Sequence, residues 1–261
     1  MSHFEGTARY YRTYRPGIPE EAVALLTRAV QGVDAPVLLD LGSGTGQVPL
    51  ALHAVFAEFD IVEADSDMIS EAKEAMAAAV PGKTVRLHHV RAEDFTPPSR
   101  EWKADLVTIC RAFHWMDQGK VLALLNGCTS PAGTVAVMGD GSLWTARSAW
   151  TDALRTLIQS YLGDERRAGQ SGTYNAHDRP YAEILSESAF HRVEEHRYEV
   201  RREWSPENIV GYLGSTSFAS RPLFGDRWQE FEDQALALLH EHAEDGVLIE
   251  NAVFSVLLGR R

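Results

Sequence analysis

Short apolar runs alternate with amphipathic stretches through the first half of the chain. The runs consist mainly of Val, Ile and Leu without strict alternation of apolar and polar residues, a pattern typical of strands buried on both faces. They predict strands over residues 37–41, 60–63, 84–89, 104–110 and 133–138. The intervening stretches predict helices over residues 47–57, 67–79 and 118–127. Because strands and helices alternate with short connections, the pattern predicts a doubly wound α/β fold.

The pattern changes after Gly139, where polar residues become more frequent. In chain order it predicts a helix over 147–162, a loop over 163–180, an alternating strand over 190–204, helices over 206–212 and 226–244, and a strand over 251–261. We expect the last two strands to form an antiparallel pair at the edge of the sheet. Ahead of the first strand, an aromatic-rich segment over 4–19 leads into a predicted helix over 20–30.

A glycine-rich turn, DLGSGTG, follows the first predicted strand. Glycines at this place allow backbone N–H groups and the next helix N-terminus to approach a ligand closely. The turn therefore predicts a nucleotide-like ligand above Gly42, Gly44 and Gly46, with a purely structural turn as the alternative. Its spacing, G-x-G-x-G, differs from the G-x-G-x-x-G of dinucleotide-binding enzymes and disfavours an NAD(P)-dependent reductase.

An acidic residue ends the second predicted strand, in the stretch IVEADSDM. Glu63 lies 19 residues after Gly44, where a carboxylate can accept hydrogen bonds from both hydroxyls of a ribose. Asp65 is the rival for this role. The other interpretation of Asp65 and Asp67 is that they cap the N-terminus of the following helix.

Composition narrows the possible partners of the chain. A net charge of −12 over 261 residues disfavours nucleic acid, because phosphate binding needs a basic surface. The sequence has no apolar run of about 18 residues and no apolar signal-peptide core at its start, so we expect no membrane partner. The two cysteines, Cys110 and Cys128, are interpreted as reduced packing residues, which predicts a cytoplasmic protein.

Five stretches, in this order and spacing, resemble the class I S-adenosylmethionine-dependent methyltransferases: VLLDLGSGTGQ, IVEADSDM, VRAEDF, DLVTICRAFHWMD and SPAGTVAVM. AFHWMD and the leading YRTYRPGIP resemble a small-molecule subgroup that includes the trans-aconitate methyltransferases. The resemblance implies a Rossmann-like sheet of seven strands in the order 3-2-1-4-5-7-6, the last antiparallel, flanked by helices and with an N-terminal helical lid. It further implies a single domain with a lid over 1–33, a cofactor-binding core over 34–139, and substrate-cap helices with the final strand pair over 140–261.

The resemblance also implies the cofactor, S-adenosylmethionine, which leaves as S-adenosylhomocysteine, and no metal. Family patterns place a methionine five residues after the ribose-binding acid, which favours Glu63 over Asp65. The implied cofactor-binding residues are Tyr11, Arg15, Asp40, Gly42, Ser43, Gly44, Gly46, Glu63, Ala64, Met68, Ala92, Glu93 and Arg111.

These residues divide by the part of the cofactor they would meet. Asp40 and the glycine turn would hold the methionine portion, and Tyr11 and Arg15 belong to the segment that closes over the cofactor. Ala92 and Glu93 would border the adenine. Family members often carry an aspartate before that alanine.

This chain has Arg91 in the place of that aspartate. Glu93 or Asp94 would then take over its contact with the adenine amino group.

The methyl acceptor is expected where the fourth strand ends, at CRAFHWMD. A carboxylate acceptor is already ionised at neutral pH and needs only a cation such as Arg111 to place it. A hydroxyl acceptor needs a general base, and His114 carries a suitable side chain. A structural role beside Trp115 is the alternative for His114. Tyr14, Trp115 and Trp144 would supply the walls of the substrate site together with His114.

The sequence thus predicts a methyltransferase acting on an oxygen of a small metabolite or natural product, with a carboxylate acceptor slightly favoured over a hydroxyl, as a monomer or homodimer. The alternatives are C- or N-methylation and a non-methylating protein, such as a cyclase, that keeps the cofactor on the same scaffold. No metal site is expected, because His88 and His89 alternate across a strand and cannot both face one ion.

Overall fold

A computed structural model describes residues 6–168 and 179–261. The chain forms two compact units. The sheet unit comprises the described parts of Gly17–Asp140, His177–Tyr198 and Phe254–Arg261, and the helical unit comprises those of Met1–Pro16, Gly141–Ala176 and Glu199–Val253. The predicted loop over 163–180 lies partly outside the described residues. The predicted boundaries at residues 33 and 139 remain predictions.

The strands are β1 Val37–Leu41, β2 Glu58–Val62, β3 Thr84–His88, β4 Ala104–Cys110, β5 Thr129–Gly139, β6 Arg192–Trp204 and β7 Leu248–Arg260. The helices are α1 Ala8–Tyr14, α2 Glu20–Ala29, α3 Gln47–Ala51, α4 Ser66–Ala79, α5 Gln118–Cys128, α6 Ala149–Leu162, α7 Tyr181–Ser186, α8 Pro206–Gly214, α9 Arg221–Phe224 and α10 Trp228–His242. No helix in these described ranges is long and apolar enough to cross a membrane.

The strands form one sheet in the order β3-β2-β1-β4-β5-β7-β6. Strands β1 to β5 pair in parallel, and β7 pairs antiparallel with β5. This confirms the predicted fold and strand order. Since parallel strands end at the same edge of a sheet, the segments after β1, β2 and β4 are brought together there.

Several predicted bounds were wrong at their ends. The predicted helix over 47–57 stops at Ala51. Beyond it, the N–H groups of His53 and Val55 bond to carbonyls three residues back, and the Ala57 N–H bonds to the Pro36 carbonyl. Strand β2 begins at Glu58 and β5 at Thr129, both earlier than predicted. Helix α7 was not predicted.

Asp60 on β2 is fully buried and ties this strand to β3 through ion pairs. Its Oδ1 accepts from Arg86 Nε at 2.9 Å and its Oδ2 from Arg86 Nη2 at 2.7 Å, while His88 Nε2 lies 2.8 Å from Oδ1. Burial opposes ionisation, but the hydrogen bonds from His88 and Arg86 outweigh it and hold the pKa of Asp60 below its ordinary value. The folded state therefore favours the ionised carboxylate.

Asp60→Asn is expected to lower the free energy of unfolding by about 3 kcal/mol at neutral pH, because it leaves Arg86 without its buried partner. The folded pKa lies below the unfolded value of about 3.9, so the stabilisation is complete above that pH and is lost as the pH falls through the folded pKa. Urea denaturation at several pH values should show the two proteins converging in acid. Exposed Asp67→Asn is the control, and a wild-type advantage that persists unchanged in strong acid would contradict the assignment.

Candidate active site

The glycine turn after β1 requires residues without a side chain. Gly42, Gly44 and Gly46 have φ angles of 66°, 56° and 83°, in the left-handed region that side chains rarely adopt. A Cβ atom on Gly42 would lie 2.5 Å from the Cβ of Ala112, too close for any other residue. The turn is therefore fixed against the segment that follows β4.

Glu63 follows β2 and is bonded to the turn. Its Oε2 accepts from the Gly44 N–H at 2.8 Å and its Oε1 from the Asp65 N–H at 2.9 Å. Burial raises the pKa of this carboxyl, and the backbone hydrogen bonds oppose that rise. A carboxylate offers about four lone-pair sites, so each oxygen retains acceptor capacity after these two bonds.

Asp65 is the N-cap of α4, as one of its two interpretations predicted. Its side chain accepts from the N–H groups of Asp67 and Met68. Met68 is buried in the first turn of that helix, whereas Ala64 is exposed. Asp65 is buried beneath its cap contacts, whereas Glu63 is partly exposed, so Glu63 is the acid better placed to meet a ligand.

Asp40 lies at the end of β1 with 1% of its surface exposed. Its Oδ2 accepts from Ser43 Oγ and its Oδ1 from Thr108 Oγ1, both at 2.5 Å. Burial raises the pKa of Asp40 to about 7, with the charge of Glu63 adding to the rise and the two hydroxyls opposing it. Asp40 thus supports the turn through Ser43 and joins β1 to β4 through Thr108.

The predicted adenine border forms a short 3-10 helix, Ala92–Asp94. Ala92 is buried. Glu93 Oε1 accepts from the Asp117 N–H at 2.6 Å and lies 3.1 Å from Arg91 Nη2. Arg91 therefore balances the charge of Glu93, while Asp94 is exposed.

Arg111, directly after β4, is paired with an acid that the sequence reasoning missed. Its Nε donates to Asp140 Oδ1 at 2.6 Å and its Nη2 to Asp140 Oδ2 at 3.1 Å, and its guanidinium lies 5.6 Å from the Phe254 ring centroid. Both side chains are largely buried. Arg111 has a φ of 55°, which is strained for a residue with a side chain. The only sequence signal for this pair was an acid directly after β5.

His114 and Trp115 lie in the 3-10 helix Phe113–Trp115 and are both half-buried. Their ring centroids are 4.7 Å apart. The neighbouring thiol of Cys110 is free, and burial raises its pKa to about 12, so it stays protonated and is no nucleophile. Within residues 110–115, His114 is therefore the side chain that is chemically suited to accept a proton.

The other predicted residues belong to the helical unit. Arg15 lies between two aromatic rings, with its guanidinium carbon 4.9 Å from the centroid of Tyr11 and 4.7 Å from that of Tyr212, and its Nε donates to Ser215 Oγ at 2.8 Å. Tyr14 packs on Gly211 of α8.

Trp144 packs edge to face on Phe218 at 5.5 Å within the same unit. A contact of Tyr11, Tyr14, Arg15 or Trp144 with the cofactor or the acceptor remains a prediction.

The residues present fit S-adenosylmethionine. The ribose of this cofactor carries two adjacent hydroxyl donors, and the fixed Glu63 carboxylate has acceptor capacity on both of its oxygens. No group of three or more His, Cys, Asp or Glu side chains suited to a metal occurs in the described ranges. His88 and His89 bond to different partners, Asp60 and the Ala64 carbonyl.

Gly44→Val is expected to lower the affinity for S-adenosylmethionine by at least about 100-fold, because a branched side chain strains the left-handed backbone that presents its N–H to Glu63. Isothermal titration calorimetry measures the change. Gly82→Val is the matched control, since Gly82 has a φ of 86° with open space around its Cβ position. Equal affinity of both variants for the cofactor would contradict the role of the turn.

Comparison with known proteins agrees with this geometry. A family model described as a methyltransferase domain matches residues 38–133. An uncharacterised methyltransferase of Mycobacterium tuberculosis strain H37Rv is 26% identical over 211 residues, which cover 80% of this chain and 74% of that protein.

Two solved structures share the fold. The YcgJ protein of Bacillus subtilis aligns with a TM-score of 0.57 and 16% identity over 93% of this chain and all of that one. A phosphoethanolamine N-methyltransferase of Haemonchus contortus, bound to phosphomonomethylethanolamine and S-adenosylhomocysteine, aligns with a TM-score of 0.56 and 13% identity over 97% of this chain and 56% of that one. Residues 38–133 thus match a methyltransferase domain, and the sheet order and the glycine turn are those implied by the resemblance to the class I S-adenosylmethionine-dependent methyltransferases.

Proposed function

We propose that this methyltransferase transfers the methyl group to a hydroxyl oxygen of a small-molecule acceptor. The observation that carries the choice of a hydroxyl is the pairing of Arg111 with Asp140. A carboxylate acceptor needs a cation to place it, and the charge of Arg111 is already balanced by a buried, bidentate partner. A neutral hydroxyl acceptor needs no cation to place it.

His114 then acts as the general base. When bound, S-adenosylmethionine supplies a methyl group on a positively charged sulfur, so the leaving group is already activated. The chain has to hold the acceptor in line and remove the hydroxyl proton, and an imidazole within hydrogen-bond reach does so near neutral pH. Trp115, packed against His114, is suited to form an apolar wall that excludes water.

The cofactor would be held from two sides. Glu63 would accept the ribose hydroxyls while its own position is fixed by the backbone N–H groups of Gly44 and Asp65. The glycine turn would lie along the methionine portion. A hydrogen bond from Ser43 to Asp40 holds this turn in place. Buried Ala92 and Met68 would border the adenine.

Several features of the acceptor remain part of this proposal. A metabolite or natural product suits the acidic chain, whose net charge of −12 disfavours nucleic acid. The resemblance to the trans-aconitate subgroup and the location in the cytoplasm are likewise predictions.

The test uses S-adenosylmethionine labelled in its methyl group, incubated with the enzyme and a metabolite extract of its host. Label that resists mild alkali and that NMR assigns to a methyl ether supports the proposal. Release of the label as methanol in alkali means a methyl ester, hence a carboxylate acceptor, and contradicts it. Label on nitrogen or carbon supports the alternatives, and tight cofactor binding without transfer to any acceptor supports a non-methylating protein.

A further inference from the structure

Strand β6 carries charges of alternating sign along one face. It is the last strand in the sheet order, so among the described residues no further strand follows it. From residue 195 onward its odd-numbered residues are all exposed and read Glu195, Arg197, Glu199, Arg201 and Glu203. Long edge strands are open to pairing with another chain, and charged side chains on the edge usually discourage it. Strict alternation is compatible with pairing when the partner strand places the opposite sign at each position.

A second copy of the same strand meets that condition in one register. In an antiparallel pair related by a two-fold axis, residues equally distant from the axis lie directly opposite each other on the same face. If the axis passes through Tyr198, the midpoint of the 13 residues of β6, the two strands overlap completely. Glu195 then faces Arg201, and Arg197 faces Glu199, and symmetry repeats both pairs.

Neighbouring registers are worse. Moving the axis to Glu199 places Glu195 opposite Glu203 and Arg197 opposite Arg201, so like charges meet at each position. Moving it to Val200 restores opposite charges but leaves the residues before His196 without a partner from the other β6. The charge pattern and the length of the strand thus favour the same axis, through Tyr198.

The charges are accessible for such pairing. Arg197 lies 3.8 Å from Glu195 and keeps 65% of its side chain exposed, and Arg201 contacts Glu203 with 58% of its side chain exposed. Both contacts lie within one strand and are exposed to solvent, so they can be exchanged for contacts across the axis at little cost. On the other face, Glu194 and Arg202 already bond within their own chain to Arg260 and Glu250. The charges of that face are therefore not needed for pairing between two copies.

We propose that two copies of this chain associate by antiparallel pairing of their β6 strands, centred on Tyr198. The sheet then continues from one copy into the other. Because the contact is one strand wide and each copy carries a net charge of −12, the dimer should dissociate on dilution.

Sedimentation velocity at physiological salt, from low to high micromolar protein, tests the proposal. Wild-type protein should shift from monomer to dimer with concentration. Arg197→Glu should abolish the dimer because it places two glutamates opposite each other on both sides of the axis. The double change Arg197→Glu with Glu199→Arg should restore it, since the exchange regenerates the opposite pairs.

Arg100→Glu, at an exposed site away from β6, controls for net charge and should leave the dimer intact. Tyr198→Cys should be joined to its symmetry mate by a short bis-maleimide, far more than Glu241→Cys or the wild-type protein. Circular dichroism checks that each variant is folded. A monomeric wild type, a dimer that survives Arg197→Glu, or a double change that stays monomeric would each overturn the proposal.

Discussion

Replacing Glu63 with alanine is expected to weaken the binding of S-adenosylmethionine by roughly 100-fold to 10,000-fold. Hydrogen bonds to a charged acceptor are each worth about 1.5–3 kcal/mol, and two ribose hydroxyls would lose theirs. Calorimetric titration with S-adenosylmethionine, and with S-adenosylhomocysteine, measures the loss. Both ligands should be affected equally, because they carry the same ribose.

Asp65 provides the matched comparison. Asp65→Ala removes the cap of α4 and should cost about 1 kcal/mol of stability with little effect on affinity. Glu63→Gln keeps one acceptor oxygen and should fall between the wild type and Glu63→Ala. If Asp65→Ala lost more affinity than Glu63→Ala, Asp65 would be the ribose ligand and the assignment would be wrong.

His114→Ala is expected to lower kcat by about 100-fold to 10,000-fold on a hydroxyl acceptor, because general-base catalysis typically contributes that much. The rate of the variant should also lose the pH dependence of an imidazole. The affinity for S-adenosylmethionine should stay within a few-fold of the wild type, so that calorimetry separates a chemical role from a binding role.

Exposed His242→Ala, on the last turn of α10, is the control for histidine replacement and should retain full activity. An increase in KM alone, with kcat and its pH profile unchanged, would mean that His114 binds the acceptor without acting as a base. Full activity of His114→Ala on an acceptor with a carboxylate would overturn the choice of a hydroxyl.

The parallel core of the fold was predictable because its strands are buried on both faces. The bounds of β1 and β4 match the prediction, and the sheet order implied by the family resemblance is confirmed. Errors arose where a polar residue starts a strand. Glu58 begins β2 in register with Val37 and Thr84, and its carboxylate pairs with Arg86 on β3 at 2.6 Å, contacts that hydropathy does not reveal.

The candidate site was predictable where the backbone geometry or the hydrogen bonding requires one particular residue type. Three glycines with left-handed φ angles and an acid at the end of β2 follow directly from the motif. The pairing of Arg111 with Asp140 was not predictable, because it joins the ends of two strands 29 positions apart and depends on the register between them. That contact changes the favoured acceptor from a carboxylate to a hydroxyl.

The left-handed backbone of Arg111 bears on which substitutions the chain would tolerate. On conformational grounds alone glycine is the better residue at this position, since holding a side chain there costs on the order of 1–3 kcal/mol. The contacts of the Arg111 side chain with Asp140 and with the ring of Phe254 offset this backbone strain. Selection for stability alone should therefore retain Arg111, because Arg111→Gly relieves the backbone strain but leaves the buried Asp140 carboxylate without this partner.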